Sequence, residues 1–317
     1  MNESTSKGHR IDMVATAASL GALCCWSIGP IFIKQLTGYV DSWTQNALRY
    51  TVACLFWLPV LLHFMRVGRF DRRTWRLALL PVATNVAMQS LWAAMFYYIH
   101  PGFAALLSKT SVLWVALFSL VFFADERPLA RSRCFWLGLV LSVMGVCGVL
   151  YFKPDFSATR TLRGVLIALI CAVMWAAYAV AVKVRFRDVD SRCGFAVISL
   201  YTTLGLWIGA FLFGDPARTT SLGIPGWTAV IVSGITAIAL GHVCFYTAIK
   251  RIGATLPSLV ILAQPFVVFS ISSVVFGERL TLAQLAFGVL LLAGAGLSVW
   301  AQEDLRTTAQ GPSAQDR

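Results

Sequence analysis

The feature that most constrains this chain is a succession of apolar runs, each close to twenty residues long, separated by short segments rich in arginine and lysine. A helix of about twenty apolar residues crosses the hydrocarbon core of a bilayer. A soluble fold with these runs inside it would lack the polar sequence needed to surface them. Of the 317 residues, 58% are hydrophobic and only 13% charged, against roughly 25% charged in a soluble domain. The runs predict spans over 13–35, 43–65, 77–98, 102–124, 134–152, 164–184, 194–214, 226–248, 254–276 and 282–301. His100-Pro101-Gly102 divides the third from the fourth, because proline starts a helix well but cannot continue one. The expectation is an all-α integral membrane protein of ten transmembrane helices.

The net charge of +12 raises the question of nucleic acid. The basic residues lie in short loops between apolar runs, where they orient a membrane protein instead. With the N-terminus inside, eighteen lysines and arginines fall on inner segments and six on outer ones, with Arg49 and Lys109 within spans. That ratio predicts both termini in the cytoplasm of a cell-membrane protein. The expected tails are 1–12 and 302–317, both cytoplasmic. The eight cysteines are scattered through the runs without ligand spacing and read as small packing residues.

The chain contains itself twice. Trp26 and Lys34, eight residues apart in the first span, recur as Trp175 and Lys183 in the sixth. Phe96-Tyr97 recurs as Phe245-Tyr246, and Glu126-Arg127 after the fourth span as Glu278-Arg279 after the ninth. Gly138 and Gly288 open the following spans. The repeats are 13–152 and 164–301, five helices each. An odd number of spans turns the second copy upside down, which is the architecture of alternating-access carriers with a central cavity. Loop charge agrees: five basic residues lie between spans two and three, and one between seven and eight.

These paired motifs, with Asn46-Ala47-Leu48-Arg49-Tyr50 in the second span, resemble the EamA-type branch of the drug/metabolite transporter superfamily over residues 13–301. The resemblance implies a ten-helix fold around a central cavity and transport of small metabolites, more commonly outward. One departure stands out. Gln264-Pro265-Phe266 fits the family's proline in the fourth span of a repeat, but the first copy has Leu113 there and Lys109 four residues earlier.

A charge within a span costs about 2.5–3.5 kcal/mol on insertion scales, so its presence asks for a reason. Lys109 is the leading candidate, as a cationic anchor for a carboxylate or phosphate; the bland alternative is a lysine snorkelling to the interface. Arg49 could pair with a substrate anion or bond backbone carbonyls at helix ends. Asn85 and Gln89 share a helix face and need partners in hydrocarbon, whether substrate or another helix. Gln264 precedes Pro265, whose missing N–H frees the carbonyl of Ile261 and kinks the helix. Gly29-Pro30 is a second weak point. Trp26 and Trp175 lie well inside their spans as candidate cavity aromatics, with Tyr98 and Tyr178 behind them. Glu126 and Glu278 read as helix-end ion pairs with the arginine that follows each.

No acidic residue sits in the middle of a span, which argues against carboxylate-based proton coupling and against recognition of bulky cations. The leading expectation is a secondary transporter of an anionic or zwitterionic metabolite, such as an amino acid or organic acid. A flippase for a lipid-linked sugar or phosphate is the alternative that Lys109 could also serve. A membrane-embedded enzyme is the remote one, since the four histidines form no metal or catalytic motif. The expected partners are the bilayer and a small metabolite, with no nucleic acid, no metal and no cofactor.

Overall fold

The computed structural model describes residues 12–68, 71, 73–153, 158–186, 189, 191–252 and 255–310. Most of the expected N-terminal tail lies outside these residues. The first half of the chain contains α1 (Met13–Leu36), α2 (Ser42–Arg66), α3 (Arg73–Leu77), α4 (Leu79–Met95), α5 (Pro101–Ser108), α6 (Ser111–Phe122) and α7 (Arg133–Tyr151). The second contains α8 (Thr159–Arg185), α9 (Ser191–Phe213), α10 (Gly223–Ser233), α11 (Gly241–Ile252), α12 (Thr255–Ile261), α13 (Gln264–Phe276) and α14 (Leu282–Gln310). Among the described residues there is no strand.

Nine helical stretches are long and apolar enough to cross a membrane, among the described residues. The expected third span is the exception. Its helix is interrupted at Ala78, and α4 has 17 residues, about 25 Å at 1.5 Å per residue against a core of about 30 Å. At the C-terminal end the last helix runs on to Gln310 instead of ending near 301. The outer surface suits lipid: Val274, Ile224 and Leu282 are each at least 85% exposed. Apolar side chains this open would be unstable against water over so wide a surface.

Capping explains where the first helices begin. Asp12 accepts from the Ala15 amide at 3.0 Å, and its carboxylate also meets Arg251 Nε at 2.8 Å. Asp41 accepts from the amides of Trp43 and Thr44 at the start of α2, and from the Asp215 amide across the molecule. Such caps satisfy N–H groups that the first helical turn leaves without partners.

The two halves interlock pairwise. α1 packs on α11, and α8, its counterpart, packs on α4, which is the counterpart of α11. In the same way α6 packs on α8 and α13 on α1, while α2 pairs with α9 and α7 with α14. Exchanging the halves leaves this set of pairings unchanged, as a two-fold relation between them requires. The α7–α14 contact is a close one. A Cβ on Gly294 would stand 2.6 Å from both the Gly138 carbonyl oxygen and the Ser142 amide nitrogen. Glycine here lets two backbones touch, the usual means of helix association without a hydrophobic driving force.

Candidate functional site

Two helices are broken at equivalent places. Between α5 and α6 the interruption falls on Lys109-Thr110, and between α12 and α13 on Leu262-Ala263. The second break has its proline, Pro265, in the first turn of α13, where a missing N–H costs nothing. The first has none. There the Ser108 and Thr110 hydroxyls bond the carbonyls of Ala105 and Leu107, each at 2.8 Å. The backbone tightens to i→i+3 bonds, Lys109 to Leu106 and Thr110 to Leu107. Hydroxyls that compete for helical carbonyls, with the 3₁₀ geometry that results, are a recognised route to a helix interruption. The lack of a proline in the first copy, noted in the sequence, therefore does not leave that helix continuous.

The two breaks meet. Lys109 Nζ donates to Gln264 Oε1 at 2.7 Å, and Gln264 Nε2 donates to the Trp26 carbonyl oxygen at 2.8 Å. Lys109 is 8% exposed. Among the described residues, the ion pairs are Lys183–Glu126, Arg218–Asp215 and Arg251–Asp12, so no carboxylate reaches Lys109.

Lys109 and Gln264 border a cavity of about 510 Å³. Trp26, Gly29, Pro30, Arg49, Gln89, Trp175 and Tyr178 also line it. α1 passes through Gly29-Pro30 as one helix, so this point does not interrupt it. Arg49 Nε donates to Ser233 Oγ at 2.8 Å, and Nη1 lies 3.4 Å from Asn46 Oδ1. Asn46 in turn donates to the Gln89 carbonyl at 2.8 Å. Ser233 immediately precedes a π-helical turn, Gly234–Leu240. Single π turns inside α-helices recur at functional sites, and this one brings Ala237 and Ile238 to the cavity wall.

Two expected residues sit elsewhere. Asn85 donates to Thr202 Oγ1 at 2.9 Å, tying α4 to α9, and is not among the cavity-lining residues. Tyr98 packs on the cluster around Phe96, with the Arg163 guanidinium 5.7 Å from its ring, and is likewise not in the lining.

Other lining residues were not singled out in the sequence. His242 is the clearest. Its Nδ1 lies 2.6 Å from the Ile238 carbonyl oxygen, which makes Nδ1 the donor, and its ring meets Trp26 edge-on and stacks on Phe195. An imidazole inside an apolar run was itself a usable signal. Trp26 reaches this place because Gly241 has no side chain: a Cβ there would stand 2.6 Å from Trp26 Cδ1.

The cavity is lopsided. Its lining runs from Trp26 and Pro30, midway along α1, to Gln302 and Glu303 near the end of α14. That is the end at which α1 starts and α14 finishes. The opposite end is filled by Ile33, Phe96, Ile99, Phe103 and Leu107. Polar bonds seal it. Glu278 accepts from the amides of Gly102 and Phe103, both at 2.8 Å, capping α5. Lys34 Nζ donates to the Phe96 carbonyl at 2.6 Å. The expected pairing of Glu278 with Arg279 is thus replaced by a reach across the fold. Glu126, its repeat counterpart, joins Lys183 rather than Arg127 and accepts from Gln302 at the cavity end.

Paired halves, an apolar exterior and charges confined to the interior or the ends define a multi-pass helical membrane protein. The EamA-like transporter family model matches residues 13–151 and 162–300, and the chain belongs to that family. It is 22% identical over 290 residues to an uncharacterized transporter of Clostridium kluyveri, covering 88% of this chain and 91% of the relative. It is 27% identical over 275 residues to the uncharacterized transporter YvbV of Bacillus subtilis, covering 84% and 85%. A solved crystal structure matches 92% of this chain and 98% of its own with a TM-score of 0.62. At 20% identity that likeness speaks for the fold.

Proposed function

We propose that this membrane transporter is a secondary carrier of a small anionic or zwitterionic organic metabolite, such as an organic acid or amino acid. It works by alternating access around the cavity, in the exporting direction, in the cell membrane with both termini cytoplasmic. α4, packed on α8 and α9, is counted as the tenth span. Five spans per half then put the two-fold axis in the membrane plane.

One observation carries the reading: Lys109, almost wholly buried, borders the cavity at the junction of two broken helices with only a neutral partner. Broken helices at the midplane are where carriers of this architecture bind substrate. A buried cation without a counter-charge is costly unless a ligand supplies one. Glu278 and Lys34 hold the far end together, so the cavity has one closed side. The test is transport by the protein reconstituted in vesicles, compared with Lys109→Gln and Lys109→Ala. Both variants, correctly inserted, are expected to lose transport. Unchanged flux would remove the basis for the anion.

A further inference from the structure

The cavity carries two buried cations, and this bears on the substrate's own charge. Arg49 is 2% exposed and Lys109 8%. All their protein partners are neutral: Ser233 and Asn46 for Arg49, Gln264 for Lys109. Both side chains keep donors in reserve. The ammonium has three N–H groups and the guanidinium five. Lys109 uses one, and Arg49 uses Nε and one position on Nη1, leaving Nη2 without a protein acceptor. They share no partner and are braced from different helices, α10 for Arg49 and α13 for Lys109. The cavity thus holds two separate anchors instead of one doubled one.

Among the described residues that line the cavity, the one acidic side chain is Glu303, in the C-terminal part of α14. A zwitterion would bring an ammonium group for which this deep wall has no carboxylate. Its charges would also sum to zero against two basic side chains. A monoanion would leave one cation uncompensated. The same cavity is lined by Trp26, Trp92 and Trp175, which suit a hydrocarbon or ring spacer.

Resting on the anion reading above, we infer that the substrate is a dianion, a dicarboxylate with one carboxylate on Lys109 and the other on the fork of Arg49. Guanidinium binds carboxylate through two parallel bonds and ammonium through a point charge. The two ends of the ligand are therefore held differently.

The test is thermal unfolding of the purified full-length protein with three matched series of linear acids of roughly four to eight carbons, a span the cavity accommodates. The series are α,ω-dicarboxylates, monocarboxylates and ω-amino acids. Ligands that bind only the folded state raise the apparent Tm. A dicarboxylate is expected to stabilise at a concentration where its monocarboxylate and ω-amino acid partners do not. Lys109→Gln should abolish that advantage, weakening the dicarboxylate by about tenfold or more while leaving monocarboxylates little changed. Arg49→Lys keeps the charge and loses the fork, so it should weaken the dicarboxylate less than Arg49→Gln does. It also serves if Arg49→Gln does not fold. Equal stabilisation by mono- and dicarboxylates would overturn the dianion and leave the anion reading standing. A preference for the ω-amino acids would overturn the dianion in favour of a zwitterion. No effect from any series would remove both.

Discussion

Lys109 Nζ stands 2.7 Å from Gln264 Oε1, so a side chain at the break in one half of the chain is bonded to a side chain at the break in the other. Gln264 also holds the Trp26 carbonyl. Three elements, α1 and the two interrupted helices, therefore converge through one amide. Removing the amide leaves a buried charge with nothing to donate to, a penalty of about 1–3 kcal/mol or more for a charged group. Gln264→Leu is expected to lower stability by that order in detergent unfolding. Adding Lys109→Met should restore part of the loss, because the charge leaves with its acceptor. A double variant no more stable than Gln264→Leu alone would deny the coupling.

The α7–α14 seam makes a second prediction. Gly145 would place a Cβ 2.6 Å from the Leu291 Cα, and Gly294 is equally confined by Gly138 and Ser142. Backbone on both sides leaves nothing flexible to give way. Gly294→Val is expected to cost about 1–3 kcal/mol by overpacking. Gly277→Ala, with open space around it, acts only through its positive φ of 65°. A smaller loss in Gly294→Val than in Gly277→Ala would contradict the packing argument.

Much of the frame was legible because hydropathy and loop charge are local properties. The apolar runs marked nine helices that the structure bears out by length and composition, and the paired Trp, Lys and Glu motifs marked the halves. α4 was harder to delimit: the break at Ala78 comes three residues before Pro81, which has no N–H for the Leu77 carbonyl and so sits in the first turn of α4, but the apolar run continues across it unchanged. Within the site, Lys109, Arg49, Gln89 and Gln264 stood out as polar groups in hydrocarbon, and all four border the cavity. Asn85 bore the same signal but turns to Thr202, because a helix face alone does not say which neighbour it meets. The bonds from Glu278 to Gly102 and Phe103 were hidden for a simpler reason: they join residues some 175 positions apart. Pairings of that kind come from tertiary packing, and a sequence-adjacent arginine was a poor guide to them.

Asp41 offers a pH test outside the spans. Burial alone would raise its pKa, but bonds from Thr44, Asp215 and Trp43 outweigh this and hold it below the usual carboxylate value. A carboxyl lowered in the folded state stabilises above its unfolded pKa of about 3.9, and that contribution fades as pH falls through the folded value. Thermal unfolding of the wild type should therefore steepen below about pH 4. Asp41→Asn, which can still cap α2 but cannot titrate, is expected to show a shallower acid loss. An identical acid profile in the variant would assign the loss to other groups.

The closed end of the cavity makes the last prediction. Glu278 is buried and holds the first two free amides of α5, with Lys34 fastened to the adjacent carbonyl of Phe96. Charge-assisted bonds to a carboxylate are worth about 1.5–3 kcal/mol each. Glu278→Ala forfeits two of them, and they lie at the end away from the cavity mouth. The variant should therefore favour a state open at that end. Ser108 borders the cavity and is half-buried, so Ser108→Cys in a background without the native cysteines reports access. In oriented vesicles, a membrane-impermeant thiol reagent is expected to label it from the side on which α1 starts and not from the other. With Glu278→Ala added, labelling from the second side should appear. Labelling from that side in both proteins would mean that Glu278 does not close it. Protection in both would mean that the aromatic and aliphatic cluster around Phe96 and Phe103 suffices without the carboxylate.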